Sequence, residues 1–310
     1  MNALSVGCAM LLAALLAAPV HAGASDVSPS VVDTRYHLKP ALLHGTNGSR
    51  TAAALRYDGS LRYDYAPWST KWTAFGQALT QGTLATDWRS NSENLFAEIR
   101  GGAFLDLYEP PAVAPPPARG NRDPRAVPVT PQGGHDYGRI EVAPNVRFET
   151  DQALRNYNLV YGCRLGYGNL KQTRAWALVP SAYAEWQRVD TLYSDVMRRR
   201  GIPEEAFYRW GVIGSWDWAT GEDLAPNSRI WRPLGAHFDI RYYRSYDLPS
   251  GADLPELRDA LYYAGGLNYE LTGKLGWVRS VYLTVAHGKL PPVTRDDTMV
   301  FVGVVLGSSR

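Results

Sequence analysis

The chain has 310 residues and a formal net charge of +2, so its charge gives no case for nucleic-acid binding. The length suits one large domain or two small ones. Outside the N-terminus no stretch approaches the ~18 consecutive apolar residues of a membrane helix. The chain nevertheless holds 19 Tyr and 10 Trp, at a mean hydropathy of only −0.27. Many aromatics with modest hydropathy are typical of sheets with one lipid-facing and one polar face.

Residues 1–22 are similar to a secretory signal. Met10 to Val20 is an apolar run, and the small residues Val20 and Ala22 predict cleavage after Ala22. After that cleavage Cys163 would be the remaining cysteine, which excludes an intramolecular disulfide. An exported chain with a β pattern and no disulfide indicates a bacterial envelope protein.

Residues 23–35 predict a flexible lead-in, and the β pattern starts at Tyr36, in a first strand that Pro40 interrupts. The pattern is clearest from Leu55 to Tyr65. There Leu55, Tyr57, Gly59, Leu61, Tyr63 and Tyr65 alternate with Arg56, Asp58, Ser60, Arg62 and Asp64. Successive side chains of a strand point to opposite faces, so one face is apolar and the other charged. The length matches a tilted membrane-spanning strand of roughly 9–11 residues.

The alternation recurs along the rest of the chain. We predict strands over residues 36–43, 55–65, 71–79, 95–107, 139–149, 156–167, 174–187, 207–218, 229–246, 259–272, 275–287 and 298–307. Residues 36–310 therefore predict one all-β domain, a closed antiparallel transmembrane barrel of about 12 strands. One loop has helical spacing, with Asp190 as the N-cap and Gly201 as the stop.

Residues 109–137 interrupt the pattern with a proline-rich stretch that predicts a long irregular loop. If both chain termini face the periplasm, strand parity places this loop on the periplasmic side, where barrel turns are short. Two explanations stay open at this stage. Either the strands before Arg139 are miscounted, or the long loop does face the periplasm.

The alternation, the aromatic strand ends and the signal segment resemble Gram-negative outer-membrane β-barrel proteins as a class. The resemblance implies location in the bacterial outer membrane after signal cleavage, with membrane lipid as the surroundings. It departs from the class at the C-terminus. Such barrels commonly finish in an aromatic residue, whereas this chain finishes in Arg310 with Phe301 well before it.

The polar faces of the strands predict the lining of the lumen. The predicted lining residues are Arg56, Asp58, Arg62, Asp64, Glu98, Arg100, Asp106, Arg139, Glu141, Arg147, Glu149, Arg164, Glu185, Arg209, Asp217, His237, Asp239, Arg241 and Glu270. Both signs of charge nearly balance, which favours either a rigid interior plugged by ion pairs or a narrow pore without strong ion selectivity. The main functional hypothesis is a monomer that serves the passage, export or binding of a small or saccharide solute.

A second hypothesis is a lipid hydrolase. The segment His44-Gly45-Thr46-Asn47-Gly48 is similar to the His-x-Ser-Asn-Gly segment of outer-membrane phospholipases and, more loosely, to barrel lipid A deacylases. That resemblance implies His44 as base and Thr46 in place of the serine nucleophile. The same five residues also read as an ordinary Asn-Gly turn.

Two further interpretations complete the sequence analysis. His237, Asp239 and Arg241 share one face, where Asp239 could orient a histidine base, but they are also simple lumen neighbours. A purely structural or adhesive barrel would bind a partner through loops such as 189–206. The spacing of histidines and cysteines predicts no metal site, and no motif predicts a cofactor.

Overall fold

The computed structural model describes residues 31–46, 51–64, 72–87, 91–106, 138–169, 181–218, 234–249, 255–271 and 278–306. Five predicted features lie outside this part of the chain: the signal segment 1–22, most of the lead-in 23–35, the Asn47-Gly48 turn, the whole proline-rich loop 109–137, and the turn at Gly273-Lys274. Among the described residues, no helix combines the length and the apolarity needed to cross a bilayer.

Twelve antiparallel strands form a closed barrel in which each strand pairs with its sequence neighbours and β1 pairs with β12. The strands are β1 (Val31–Gly45), β2 (Thr51–Asp64), β3 (Trp72–Ala85), β4 (Leu95–Asp106), β5 (Gly138–Thr150), β6 (Asn156–Asn169), β7 (Ser181–Ser194), β8 (Phe207–Trp218), β9 (Leu234–Tyr246), β10 (Asp259–Glu270), β11 (Val278–Gly288) and β12 (Asp297–Leu306). The predicted fold class and strand number are confirmed.

The first strand is longer than its sequence predicts. β1 begins at Val31, so it includes the end of the predicted lead-in, and it continues through Pro40. Proline lacks a backbone N–H and therefore removes one ladder bond. The register with β12 accordingly skips from Leu38 to Ala41, while the register with β2 is continuous through Pro40. Pairing on the β2 side keeps the strand extended.

The predicted helix is shorter than expected. α1 (Asp195–Arg199) begins after Ser194, whose side chain accepts the Met197 amide N–H, so the prediction of Asp190 as N-cap was wrong. Residues 190–194 stay in β7 because pairing with β6 outweighs local helical spacing. A second helix, α2 (Pro255–Arg258), precedes β10.

The loop after α1 is closed by Glu204. Its carboxylate accepts from Arg198 at 2.9 Å and from the backbone N–H of Ser194 at 2.7 Å. These donors, the Arg198 side chain first, hold the pKa of Glu204 below its ordinary value. The contacts therefore persist above that value and are lost as the pH falls through the lowered pKa.

The outside of the barrel is apolar. Leu42 and Ile99 are each 60% exposed, and Trp186 and Val302 each 53%. Exposure of so many large apolar side chains around the sheet is unfavourable in water and favourable against lipid. The exterior is therefore a lipid-facing surface.

The chain termini distinguish the two ends of the barrel. We call the end where β1 starts and β12 finishes the termini end, and the opposite end the far end. Asp106 finishes β4 and Gly138 starts β5, so both lie at the termini end. The strand count of twelve removes the miscount explanation, and the proline-rich loop connects strands at the same end as the chain termini.

The interior is not polar along its whole length. Near the far end, Leu43, Leu290, Met299 and Phe301 pack in one buried cluster. Val160 anchors a second buried cluster beneath α1. Both apolar clusters lie toward the far end, beside buried polar side chains such as Glu149 and Arg209.

Candidate functional site: the lumen

A network of ion pairs covers one wall of the lumen. Arg147 of β5 donates from Nε to Glu98 Oε2 of β4 at 2.6 Å and from Nη2 to Glu185 Oε1 of β7 at 3.3 Å. Arg164 of β6 also lies 3.3 Å from Glu185 Oε1. These strands are neighbours in the barrel, so the alternation that turns each charge inward also places opposite charges side by side.

The most buried pair of this wall is Arg209 with Glu149. Arg209 Nη1 and Nη2 each donate to a different Glu149 oxygen at 2.9 Å, and Arg209 Nε donates to Gln187 at 2.6 Å. The Asn158 amide donates to Glu149 Oε1 at 3.1 Å. Arg209 is 2% exposed and Glu149 1%, so the bidentate geometry compensates two desolvated charges.

The opposite wall carries three cations, each beside its own carboxylate. Lys39 Nζ lies 2.6 Å from Asp58 Oδ2, and His37 Nδ1 lies 2.7 Å from Asp58 Oδ1. Arg241 of β9 contacts Asp239 at 2.6 Å. The third cation, Arg56, is paired with Glu93, which does not belong to a strand.

Glu93 belongs to a segment that folds into the bore at the far end. Residues 91–94 follow β3 and are all buried, and residues 288–293 at the end of β11 lie beside them. We call these two segments together the plug. Ser92 Oγ donates to the Gly288 carbonyl at 2.6 Å, and the Leu290 amide donates to the Ser92 carbonyl at 3.2 Å. Asn94 Nδ2 donates to the Pro291 carbonyl at 2.6 Å.

The plug is fastened to the barrel wall through the Glu93 carboxylate. Arg56 Nη2 donates to Glu93 Oε1 at 3.0 Å, and the Tyr262 hydroxyl donates to the same oxygen at 2.6 Å. The Thr83 hydroxyl donates to Glu93 Oε2. A buried carboxylate with three donors is well compensated, so the plug is held in a defined position at the far end.

Beneath the plug lies a polar cavity of ≈ 470 Å³. Its lining includes His37, Lys39, Arg56, Glu93, His237, Asp239, Arg241, Asn268, Ser280 and Tyr282. A second lobe of ≈ 250 Å³ borders the charge network and shares Gln81, Asn94, Ser215, Asp239, Arg241 and Leu290 with the first. Asn268 and Ser280 lie close to the strand ends Glu270 and Val278, so the cavity extends toward the termini end.

Other predicted lining residues lie around the termini end. Arg62 donates to Asp64 at 2.7 Å, and its guanidinium lies over the rings of Phe75 and Phe104 at 4.5 and 5.2 Å. Arg139 covers Phe104 at 3.5 Å. These cation–π contacts cover the β2–β5 wall of the bore at the termini end.

The remaining predicted lining residues have three different placements. Arg100 donates to Gln77 at 2.6 Å and lies 3.9 Å from Glu141. Glu270 is exposed at the end of β10. The side chains of Asp106 and Asp217 lie outside what the structure describes.

The structure does not bring His44 and Thr46 together as a catalytic pair. His44 is exposed and shares the outward row of β1 with Leu42. The Thr46 hydroxyl donates to Asp297 at 2.8 Å and accepts the Thr298 amide at 3.4 Å, which ties the end of β1 to β12. The lipid hydrolase hypothesis is therefore not favoured. Within the described residues, no group of three or more His, Cys, Asp or Glu is arranged to hold a metal ion.

Sequence reasoning missed the residues that hold the plug in the bore. Glu93 lies in the polar run Asn91 to Asn94, which has no periodicity and looks like an ordinary surface loop. Lys39 was missed because Pro40 weakened the pattern of β1. Tyr262 lies on the inward row of β10, and its role depends on Glu93, which sequence spacing does not connect to it.

No family model matches the sequence, and no curated protein is similar to it. Solved structures do align with the barrel. The KdgM porin, solved in complex with disordered oligogalacturonate, has 10% identity and a TM-score of 0.34 over 89% of this chain and 98% of its own. Salmonella typhi OmpF has 10% identity and a TM-score of 0.36 over 90% of this chain and 100% of its own. Pseudomonas aeruginosa OccK1 has 8% identity and a TM-score of 0.36 over 90% and 99%.

At these TM-scores the solved structures do not indicate a solute or a role for this barrel. Its own strand pairing closes the sheet, and its own apolar exterior faces lipid. Closed barrels with this alternation are the β-structures that span bacterial outer membranes. The chain is an outer-membrane β-barrel.

Proposed function

We propose that the barrel is a monomer that binds small hydrophilic solutes in its lumen and passes them across the outer membrane, with saccharides as the preferred class. The observation that carries this proposal is the cavity of ≈ 470 Å³ between the plug and the termini end. Its volume falls within the few hundred Å³ typical of small-molecule sites.

The lining of the cavity supports a hydroxylated solute. Lys39, Arg56 and Arg241 are each paired with a carboxylate, so no strong field selects one sign of ion. Amide and hydroxyl groups from Gln81, Asn268, Ser280 and Tyr282 add donors and acceptors that sugar hydroxyls can use. Passage requires the plug to move, because it closes the far end.

The test places a cysteine in the cavity. Ser215 lines both lobes, whereas Val212 on the same strand faces lipid and is 47% exposed. In a Cys163→Ser background, Ser215→Cys and Val212→Cys are each reconstituted in vesicles, and glucose uptake is measured before and after a bulky charged thiol reagent.

We expect the reagent to reduce uptake through Ser215→Cys to the rate of protein-free vesicles, because it fills the cavity. Uptake through Val212→Cys should not change. Absence of glucose uptake by the unmodified protein, or equal loss in both variants, contradicts passage through this lumen.

A further inference from the structure

Glu93 occupies a carboxylate-binding cradle that belongs to the barrel wall. The three donors to its oxygens come from three different strands: Arg56 from β2, Thr83 from β3 and Tyr262 from β10. Donors reach both carboxylate oxygens, as in built carboxylate sites of proteins. The wall supplies the site, and the plug supplies the group that fills it.

The charges of the cavity show why the cradle needs an anion. Lys39 and Arg241 have carboxylate partners on the wall itself, Asp58 and Asp239. In the described part of the chain, the carboxylate that contacts Arg56 is that of Glu93. With the plug in place the Arg56 side chain is 18% exposed, and withdrawal of the plug would leave its guanidinium beside no wall carboxylate among the described residues. A partly desolvated cation in that state favours another anion in place of the lost one.

We propose that this cradle binds the carboxylate of a solute in competition with Glu93, and that this exchange releases plug residues 91–94 from the wall. The inference rests on the proposed function, because it assigns a substrate class to the same lumen. The class is small polyhydroxylated monocarboxylates, such as sugar acids. The carboxylate replaces that of Glu93 at Arg56, Thr83 and Tyr262, and the hydroxyl groups extend into the cavity.

The exchange couples solute binding to opening. The solute carboxylate accepts the hydrogen bonds that Glu93 gives up. The free energy of solute binding therefore offsets the cost of detaching Glu93 from the wall. A solute without a carboxylate enters the same cavity without displacing Glu93, so it passes only when the plug detaches spontaneously. Because Glu93 occupies the cradle in most molecules, a solute carboxylate can bind only the fraction of molecules in which the cradle is free. Its apparent affinity is lowered in proportion to that fraction.

The experiment compares D-glucuronate with D-glucose, which differ in one carboxylate. Binding to the purified full-length barrel is measured by calorimetry. We expect Glu93→Gln to raise the affinity for glucuronate by about tenfold or more, because it removes the internal competitor. The affinity for glucose should stay the same. Adding Arg56→Gln to Glu93→Gln should abolish the gain, and Glu205→Gln, an exposed carboxylate of the far-end loop, is the matched control.

A second variant keeps the test decisive if Glu93→Gln folds poorly. Asn94→Ala removes the bond to the Pro291 carbonyl and loosens the plug while it keeps Glu93, so it should raise glucuronate affinity by a smaller factor. Equal glucuronate affinity in the wild type and both plug variants overturns the cradle while glucose binding still supports the proposed function. Failure of every folded variant to bind either sugar overturns the proposed function itself.

Discussion

A barrel whose first plug segment is replaced by Gly-Ser-Gly-Ser, through Asn91→Gly, Glu93→Gly and Asn94→Ser, should conduct ions far better than the wild type. We expect single-channel conductance in planar bilayers to rise by about an order of magnitude, because residues 91–94 stand in the bore and hydrophilic pores conduct through their widest continuous water path. The replacement removes the bonds from the wall to Glu93 and the bond from Asn94 to the second plug segment.

The matched control changes far-end residues that lie outside the bore. Arg199 and Glu205 are exposed on and after α1, so Arg199→Gly with Glu205→Gly alters the same end of the barrel without opening the lumen. Its conductance should equal that of the wild type. Equal conductance of the plug variant and this control means that residues 91–94 are not what closes the pore.

Arg209→Met should be the most destabilising single substitution in the charge network. It leaves the Glu149 carboxylate buried with the Asn158 amide as its remaining described donor. We expect a loss of about 3–5 kcal/mol in the free energy of unfolding, the usual cost of breaking a buried pair by removing one partner. Urea unfolding in lipid vesicles, followed by tryptophan fluorescence, measures it.

A double mutant identifies the cause of this loss of stability. Glu149→Leu added to Arg209→Met removes the orphaned charge and should recover most of the lost stability. The surface pair provides the comparison, since Arg198 is 56% exposed beside Glu204, and Arg198→Met should cost far less than Arg209→Met. A cost for Arg209→Met as small as that of Arg198→Met would show that Glu149 is reached by water.

The barrel could be predicted because the pattern that specifies each strand lies within that strand. Alternation with a period of two residues makes each strand recognisable alone, and twelve such strands leave closure as the natural way to satisfy their edges. The same alternation indicated which charges point inward, such as Arg147 and Glu185. Their pairing partners follow from register, which the sequence does not state but short connections largely impose.

The plug could not be predicted, because its position depends on contacts between distant parts of the chain. Glu93 meets Tyr262 across the bore, and Ser92 meets Gly288, although neither pair has a sequence pattern in common. The apolar far-end layer was missed for a related reason. Leu43, Met299 and Phe301 follow their strands' inward rows, but mixed rows of this kind look like imperfect alternation when each strand is considered alone.

Cysteine accessibility at two adjacent positions tests the central claim, a water-filled polar cavity inside a lipid-facing shell, most directly. Ser280 lines the cavity, and Val281 is 41% exposed on the outer row of the same strand. In a Cys163→Ser background reconstituted in lipid vesicles, a small charged thiol reagent should modify Ser280→Cys and leave Val281→Cys unmodified. Modification of Val281→Cys at the same rate or faster would contradict the barrel's inside and outside as described.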